Sequence, residues 1–180
     1  MTTTSLGADL RALRKSRRMT LQSLADDLGK SVGWLSQIER DLSTPDPSDL
    51  AAMADARDVS EGLLTTRPGE DGIVVRANAR RPIGTRVSGL TEQLLSPDLT
   101  DDFQAVHSVF ERGASREDSV RRGTQELAYL VTGQLDVWLD GEKFTLAQGD
   151  SFRMRGQRFR WANPYSHPAV AIWIIAPPVY

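Results

Sequence analysis

Apolar residues in the first third of the chain recur every three to four positions, the period of a helix with one buried face. Leu6, Leu10 and Leu13 set the pattern, and Leu21, Leu24, Ala25 and Leu28 repeat it. Val32, Leu35 and Ile38 follow at three-residue steps, then Leu50, Met53 and Ala54. Start and stop signals agree with these stretches. Thr20, Ser31 and Asp46 stand where an N-cap is needed, with Pro47 at a first helical position and Asp49 in the first turn. Gly29 suits the left-handed turn that ends a helix. The pattern predicts helices over 6–17, 21–28, 32–40, 47–56 and 60–64. A stretch of turn-forming composition, TTRPGEDG at 65–72, comes next.

From residue 73 the period changes to two, and short β-rich runs follow one another. They predict strands over 73–75, 85–95, 103–110, 127–131, 135–139, 143–146, 151–154, 158–161 and 169–175. Gly133, Asp140-Gly141 and Gly149-Asp150 punctuate them, and Asp-Gly between LDVWL and EKFTL is a two-residue hairpin signal. Many short strands at even spacing read as a sandwich or barrel. The expected organisation is therefore a helical domain at 1–66, a linker at 67–72 and a β domain at 73–180.

Composition removes several function classes. The chain has 180 residues, 39% hydrophobic and 26% charged, and no apolar run approaches the roughly 20 residues of a membrane span. The start, MTTTSLGADL, lacks a secretory pattern. The expectation is a cytoplasmic protein with no membrane partner. There is no Cys, so disulfides, thiolate nucleophiles and Cys-based zinc sites are excluded. The two His, 107 and 167, cannot supply a three-imidazole metal site from one chain. Net charge is −2, but the segment 9–18 gathers Arg11, Arg14, Lys15, Arg17 and Arg18 against one acid. Local basic charge of this kind attracts phosphates whatever the total.

The segment TLQSLADDLGKSVGWLSQIER, residues 20–40, places two helices around a tight turn. Ala25 is small enough for a close helix crossing. Val32, Leu35 and Ile38 seat the second helix, leaving Gly33, Trp34, Ser36, Gln37 and Arg40 on its outer side. With LRALRKSRRMT before it and TPDPSDLAAMADARDVS after it, the segment resembles the XRE-type, lambda-repressor-like helix-turn-helix family. The resemblance implies that the third helix enters the DNA major groove. Val32, Gly33, Trp34, Ser36 and Gln37 would then face bases, Ser31 and Arg40 would hold phosphates, and Gln22 would lie near the backbone. Gln suits an adenine edge because it donates and accepts together. The resemblance also implies a brace between Arg14 and Glu39. Two departures stand out. Val32 and Gly33 occupy positions that often carry polar readers, and Asp41 occupies one where Gly often ends the helix.

FERGAS (110–115), ELAYLVTGQLDVWLDGEKFTLAQGDSF (126–152) and WANPYSHPAVAIWIIAPP (161–178) resemble the cupin family of double-stranded β-helix barrels. Metal-binding cupins carry two His and a Glu around one strand region and a third His on a later strand. Here the Glu position is Glu126, while the His positions fall on Val120, Arg122 and, loosely, Phe159. One ligand of four survives, so the expectation is no metal, no cofactor and no catalysis. Arg122 either replaces the ion as the counter-charge of Glu126 or is carried to solvent by its loop. A metal-free barrel still holds a cavity. Its candidate lining is His107, Arg122, Glu126, Trp138, Arg153, Phe159, Trp161 and Trp173.

The two resemblances together imply a two-domain regulator: an all-α five-helix DNA-binding domain, then an all-β cupin barrel. The implied partners are double-stranded DNA with a palindromic operator, a small-molecule effector, and a second copy joined through the cupin domain. The run 169–175 and the early strands at 73–95 are the expected dimer surfaces. The rival expectation is a metal-dependent, epoxidase-like cupin enzyme that carries a helix-turn-helix.

Overall fold

The computed structural model describes residues 5–56, 59–65, 73–84 and 87–179. The expected linker at 67–72 and the start of the strand expected at 85–95 lie outside the described residues. The chain forms two compact units: Met1–Gly84 with Leu95–Asp101 and Val179–Tyr180, and Thr85–Leu94 with Asp102–Pro178.

Five helices fill the first unit among its described residues: α1 (Leu6–Ser16), α2 (Leu21–Asp27), α3 (Val32–Ile38), α4 (Pro47–Asp55) and α5 (Glu61–Thr65). Side-chain caps define their starts. Ser5, Thr20, Ser31 and Asp46 accept from the backbone N–H groups of Ala8, Ser23, Trp34 and Asp49, each satisfying a donor that the first turn leaves open. After α2, Gly29 takes φ +62°, the left-handed turn that lets the chain swing directly into α3. Of the set the period picked out, Leu10, Leu13, Leu24, Ala25, Leu35, Ile38, Met53 and Ala54 form the core with Leu63 and Leu64, while Leu6, Leu21, Leu28, Val32 and Leu50 are half-buried at its edge.

The sequence places the division between domains at 66–73, but compact packing groups residues 73–84 and 95–101 with the helices. The reason is a buried ion pair that periodicity does not reveal. Arg81 donates to Asp9 in the first turn of α1 at 2.6 Å, with both side chains 4% exposed, and the same carboxylate accepts from the Leu99 N–H at 2.9 Å. Two further differences belong here. Residues 73–75, expected as a strand, form none; a single 3-10 turn (Ala77–Ala79) and a short strand β1 (Arg81–Gly84) follow instead. The Ser60 N–H donates to the Ile83 carbonyl at 3.2 Å, which fixes β1 beside α5.

The second unit contains β2 (Leu90–Leu94), β3 (Gln104–Phe110), β4 (Ser115–Arg121), β5 (Gln125–Thr132), β6 (Gln134–Leu139), β7 (Glu142–Ala147), β8 (Ser151–Arg155), β9 (Arg158–Ala162) and β10 (Ala169–Ala176). One sheet of this unit runs β2-β3-β10-β5-β8 and the other β4-β9-β6-β7, all antiparallel. The Asp140-Gly141 turn joins β6 to β7 with positive φ at both residues, 50° and 93°, the geometry of a two-residue hairpin. Strand β4 is absent from the sequence expectation. Its sequence, SREDSVR, has one apolar residue, so it carries no alternation to read.

Register decides what faces inward. Phe110, Ser108, Val106 and Gln104 of β3 pair with Ala169, Ala171, Trp173 and Ile175 of β10, all buried. On β5, Leu130, Ala128 and Glu126 continue these rows. Phe110 and Trp161 meet edge to face with centroids 4.7 Å apart. Phe152, Phe159 and Trp173 form a second aromatic group with centroid distances of 5.5–6.0 Å.

Candidate functional site

In the helical unit, α3 divides into a buried and an open side. Leu35 and Ile38 are 0% and 1% exposed. Ser31, Gly33, Gln37 and Arg40 are exposed, and Val32, Trp34 and Ser36 are half-buried. Every residue expected to face DNA on this helix therefore reaches the surface, though Val32 also contributes to seating it. Gln22 is exposed at the start of α2 and donates to Asp26 at 2.8 Å. Arg40 Nε donates back to the Ser36 carbonyl at 3.3 Å, which lays its guanidinium along α3.

Three contacts hold this surface. Arg14 Nε and Nη2 donate to the two Glu39 oxygens at 2.6 and 2.8 Å, and Nη1 donates to the Met19 carbonyl at 2.8 Å. The side chains are 10% and 5% exposed, and the Glu39 hydrogen bond raises the Arg14 pKa further. Asp41 takes φ 57°, and its carboxylate accepts from the Gly7 N–H at 2.8 Å and from Ser5. An Asp serves at this turn because its side chain caps the far end of α1. Lys30 is the contact that sequence reasoning missed. It bonds Asp49 of α4 at 2.6 Å and sits 5.0 Å above the Trp34 ring, tying a residue of the open flank to the scaffold.

Gly33 is different in kind. A Cβ built there meets nothing nearer than the Ser31 hydroxyl at 3.9 Å, and its φ is not left-handed. Neither packing nor backbone conformation of this chain requires glycine at that point of α3.

In the β unit, the structure gathers five of the eight expected lining residues and separates three. Arg122, Phe159, Trp161 and Trp173 line one small cavity open to solvent, together with Arg116, Glu92 and Phe110. An adjoining pocket brings together Val120, Arg122, Glu126 and Phe159. These are the four positions that the cupin resemblance assigns to metal ligands, so the alignment of residues is spatially sound. Their chemistry does not fit a metal: one carboxylate, one guanidinium and two hydrocarbon side chains offer a single donor. No group of three His, Cys, Asp or Glu side chains suited to a metal occurs among the described residues.

His107, Trp138 and Arg153 lie on outward faces, which corrects their placement in the cavity. Strand parity is the cause. His107 alternates with the buried Val106 and Ser108 and pairs with Ile172 and Gln93. Arg153 pairs with Leu127, between the inward-facing Phe152 and Met154. Trp138 follows the buried Val137 and lies between two cations, Arg160 at 3.6 Å and Lys143 at 5.4 Å from its ring centroid. Beside it, burial pushes the Asp136 carboxyl up, but hydrogen bonds from Lys143, Thr145 and Tyr165 outweigh burial and hold its pKa below the ordinary value.

Arg122 Nη1 reaches the two Glu126 oxygens at 3.5 and 3.3 Å. Glu126 is 2% exposed and Arg122 34%. Thr124 donates to the same carboxylate at 2.6 Å. Arg122 thus stands as the counter-charge rather than turned to solvent. Arg116 was missed because it lies in the polar strand β4. Its sequence has a single apolar residue and so carries no alternation to mark an inward face.

Residues 5–66 match the family description of a helix-turn-helix domain, and residues 106–175 that of a cupin domain. The chain joins a helix-turn-helix domain to a cupin domain. That pairing supports a DNA-binding role. Among solved structures, an RmlC-like cupin from Shewanella frigidimarina is 21% identical, matches 58% of this chain and 90% of its own, and has a TM-score of 0.50. An HTH_3 family transcriptional regulator from Vibrio cholerae is 22% identical over 96% of this chain and 95% of its own, with a TM-score of 0.45. Hydroxypropylphosphonic acid epoxidase from S. wedmorenis is 16% identical over 96% and 97%, with a TM-score of 0.47. No curated protein matches the chain. Among the described residues, no helix is long and apolar enough to cross a membrane.

Proposed function

We propose that this helix-turn-helix cupin chain is a sequence-specific regulator. It binds a palindromic operator as a homodimer, and its cupin domain is a metal-free small-molecule sensor rather than an enzyme. The observation that carries the reading is the open flank of α3. Gln37 and Arg40 are exposed about one and two helical turns from Gly33, beside a helix face sealed by Leu35 and Ile38. A helix so mounted presents hydrogen-bonding groups to base edges and phosphates while its core face holds its angle.

One such helix contacts too few base pairs to select a site. Two copies, set about 34 Å apart on one face of the duplex, recognise a palindrome. The outer face of the β3-β10-β5 sheet supports pairing of copies. Ile174 lies across from Leu127 and Ile172 from Tyr129, and Leu127, Tyr129 and Ile174 are 48%, 48% and 39% exposed. In this reading the protein works in the cytoplasm, and an effector in the barrel shifts the population of DNA-competent dimers.

The test is selection of bound DNA from a random library with the full chain, alongside its mass by light scattering. The expected result is an inverted repeat with half-sites about 10 base pairs apart, bound by a dimer. Selection of no common sequence, or a monomer at concentrations that saturate the site, contradicts the reading.

A further inference from the structure

The inner cavity of the β unit contains two hydrogen-bond donors with no partner among the described residues. Its carboxylates are Glu126, which takes Arg122 and Thr124, and Glu92, which accepts through one oxygen from Ser108 at 3.3 Å. Trp173 is 6% exposed and lines the cavity, and its indole N–H is buried with no hydrogen-bond partner. Arg116, on β4 of the other sheet, also lines the cavity; it is half-buried and has no ion-pair or hydrogen-bond partner among the described residues. A buried donor without a partner destabilises the fold, so the cavity gains by accepting a group that supplies lone pairs. The rest of the lining is largely apolar, with Leu90, Phe110, Val120, Phe159 and Trp161.

From this we infer that the cavity binds a small organic carboxylate, its oxygens on Arg116 and the Trp173 indole N–H and its hydrocarbon body against Phe110, Phe159 and Trp161. A guanidinium gives a carboxylate two parallel charge-assisted bonds, and the indole N–H supplies a further donor. Arg122 does not compete for that role while Glu126 holds it. An amine leaves the Trp173 N–H and Arg116 without an acceptor. A neutral amide satisfies the indole but leaves the Arg116 charge unmatched. The inference rests on the sensor reading and gives it a ligand class.

The test uses the full chain and matched pairs of probes: benzoate with benzamide, phenylacetate with phenylacetamide, and hexanoate with hexanamide. Binding is read by tryptophan fluorescence and by thermal shift. At least one acid is expected to bind about tenfold or more tightly than its amide. Arg116→Gln removes that preference and leaves the melting temperature of the unliganded protein within about 2 °C. Trp173→Phe keeps the ring, deletes the donor and weakens the acid by about fivefold or more. The inference is overturned if amides bind as well as acids, if Arg116→Gln binds the acids as the wild type does, or if no acid binds below about 10 mM. The two layers separate cleanly. Amide binding without acid preference removes the carboxylate and leaves a sensor. An acid that binds in the cavity but leaves operator affinity unchanged keeps the carboxylate site and removes the sensor.

Discussion

Each unit contains an Arg–Glu pair that sequence reasoning singled out, and the two pairs are built differently. Arg14 and Glu39 meet through two bonds of 2.6 and 2.8 Å, and both are nearly sealed from solvent. Arg122 approaches Glu126 with one nitrogen at 3.3 and 3.5 Å and keeps a third of its side chain open toward a cavity. The first pair spends all its geometry on holding α1 to the end of α3. The second neutralises a buried carboxylate and leaves the space beside it free. The same residue types thus serve as a rivet in one unit and as part of a wall in the other.

The comparison breaks most directly at Glu39. Glu39→Ala strands a buried guanidinium and is expected to lower unfolding free energy by about 3 kcal/mol, measured by urea titration. Arg122→Gln is expected to cost less than that in the same assay, because its bonds to Glu126 are long, 3.3 and 3.5 Å, and Thr124 still donates to the carboxylate. Equal losses in the two variants contradict the distinction.

How far each region was readable from the sequence follows the same division. The helical unit advertised itself because its buried face has the helix period and its starts carry capping residues at Thr20, Ser31 and Asp46. Arg14 and Glu39 were legible only through resemblance to a family, since nothing in their spacing of 25 positions joins them. Arg81 and Asp9, 72 positions apart, left no local signal, and their pairing moved the unit boundary. In the barrel, hairpin turns such as Asp140-Gly141 were clear. Which face of each strand turns inward was not. His107, Trp138 and Arg153 were assigned to the cavity by residue type, and one-residue parity sends each of them out. Strand β4 stayed hidden because a polar strand over an open cavity has no hydrophobic alternation, and with it went Arg116.

A smaller effect separates stability from function at the open flank of α3. Gly33→Ala adds a methyl group where the chain leaves room and is expected to stabilise the fold by about 0.5–1 kcal/mol. Under the proposed function it weakens operator binding, because the methyl group enters the space the DNA occupies. A variant that is more stable and binds equally well shows that the glycine is incidental. The smallest effect is at Asp136. Its folded pKa lies below its unfolded value near 3.9, so its contribution is present above that value and is lost as pH falls through the folded one. The stability gap between wild type and Asp136→Asn is therefore expected to be full at neutral pH and to close below about pH 4. A gap that stays constant on acidification contradicts the assignment.

The most direct measurement concerns α3 itself: binding of full-length Gln37→Ala and Arg40→Ala to the selected operator and to its single-base variants, over a range of salt. Gln37→Ala is expected to lose about 1–3 kcal/mol of discrimination at one symmetric base position. Arg40→Ala is expected to weaken all sequences alike and to reduce the salt slope by about one per site. If both variants bind every sequence as the wild type does, the open flank of α3 is not the surface that reads DNA.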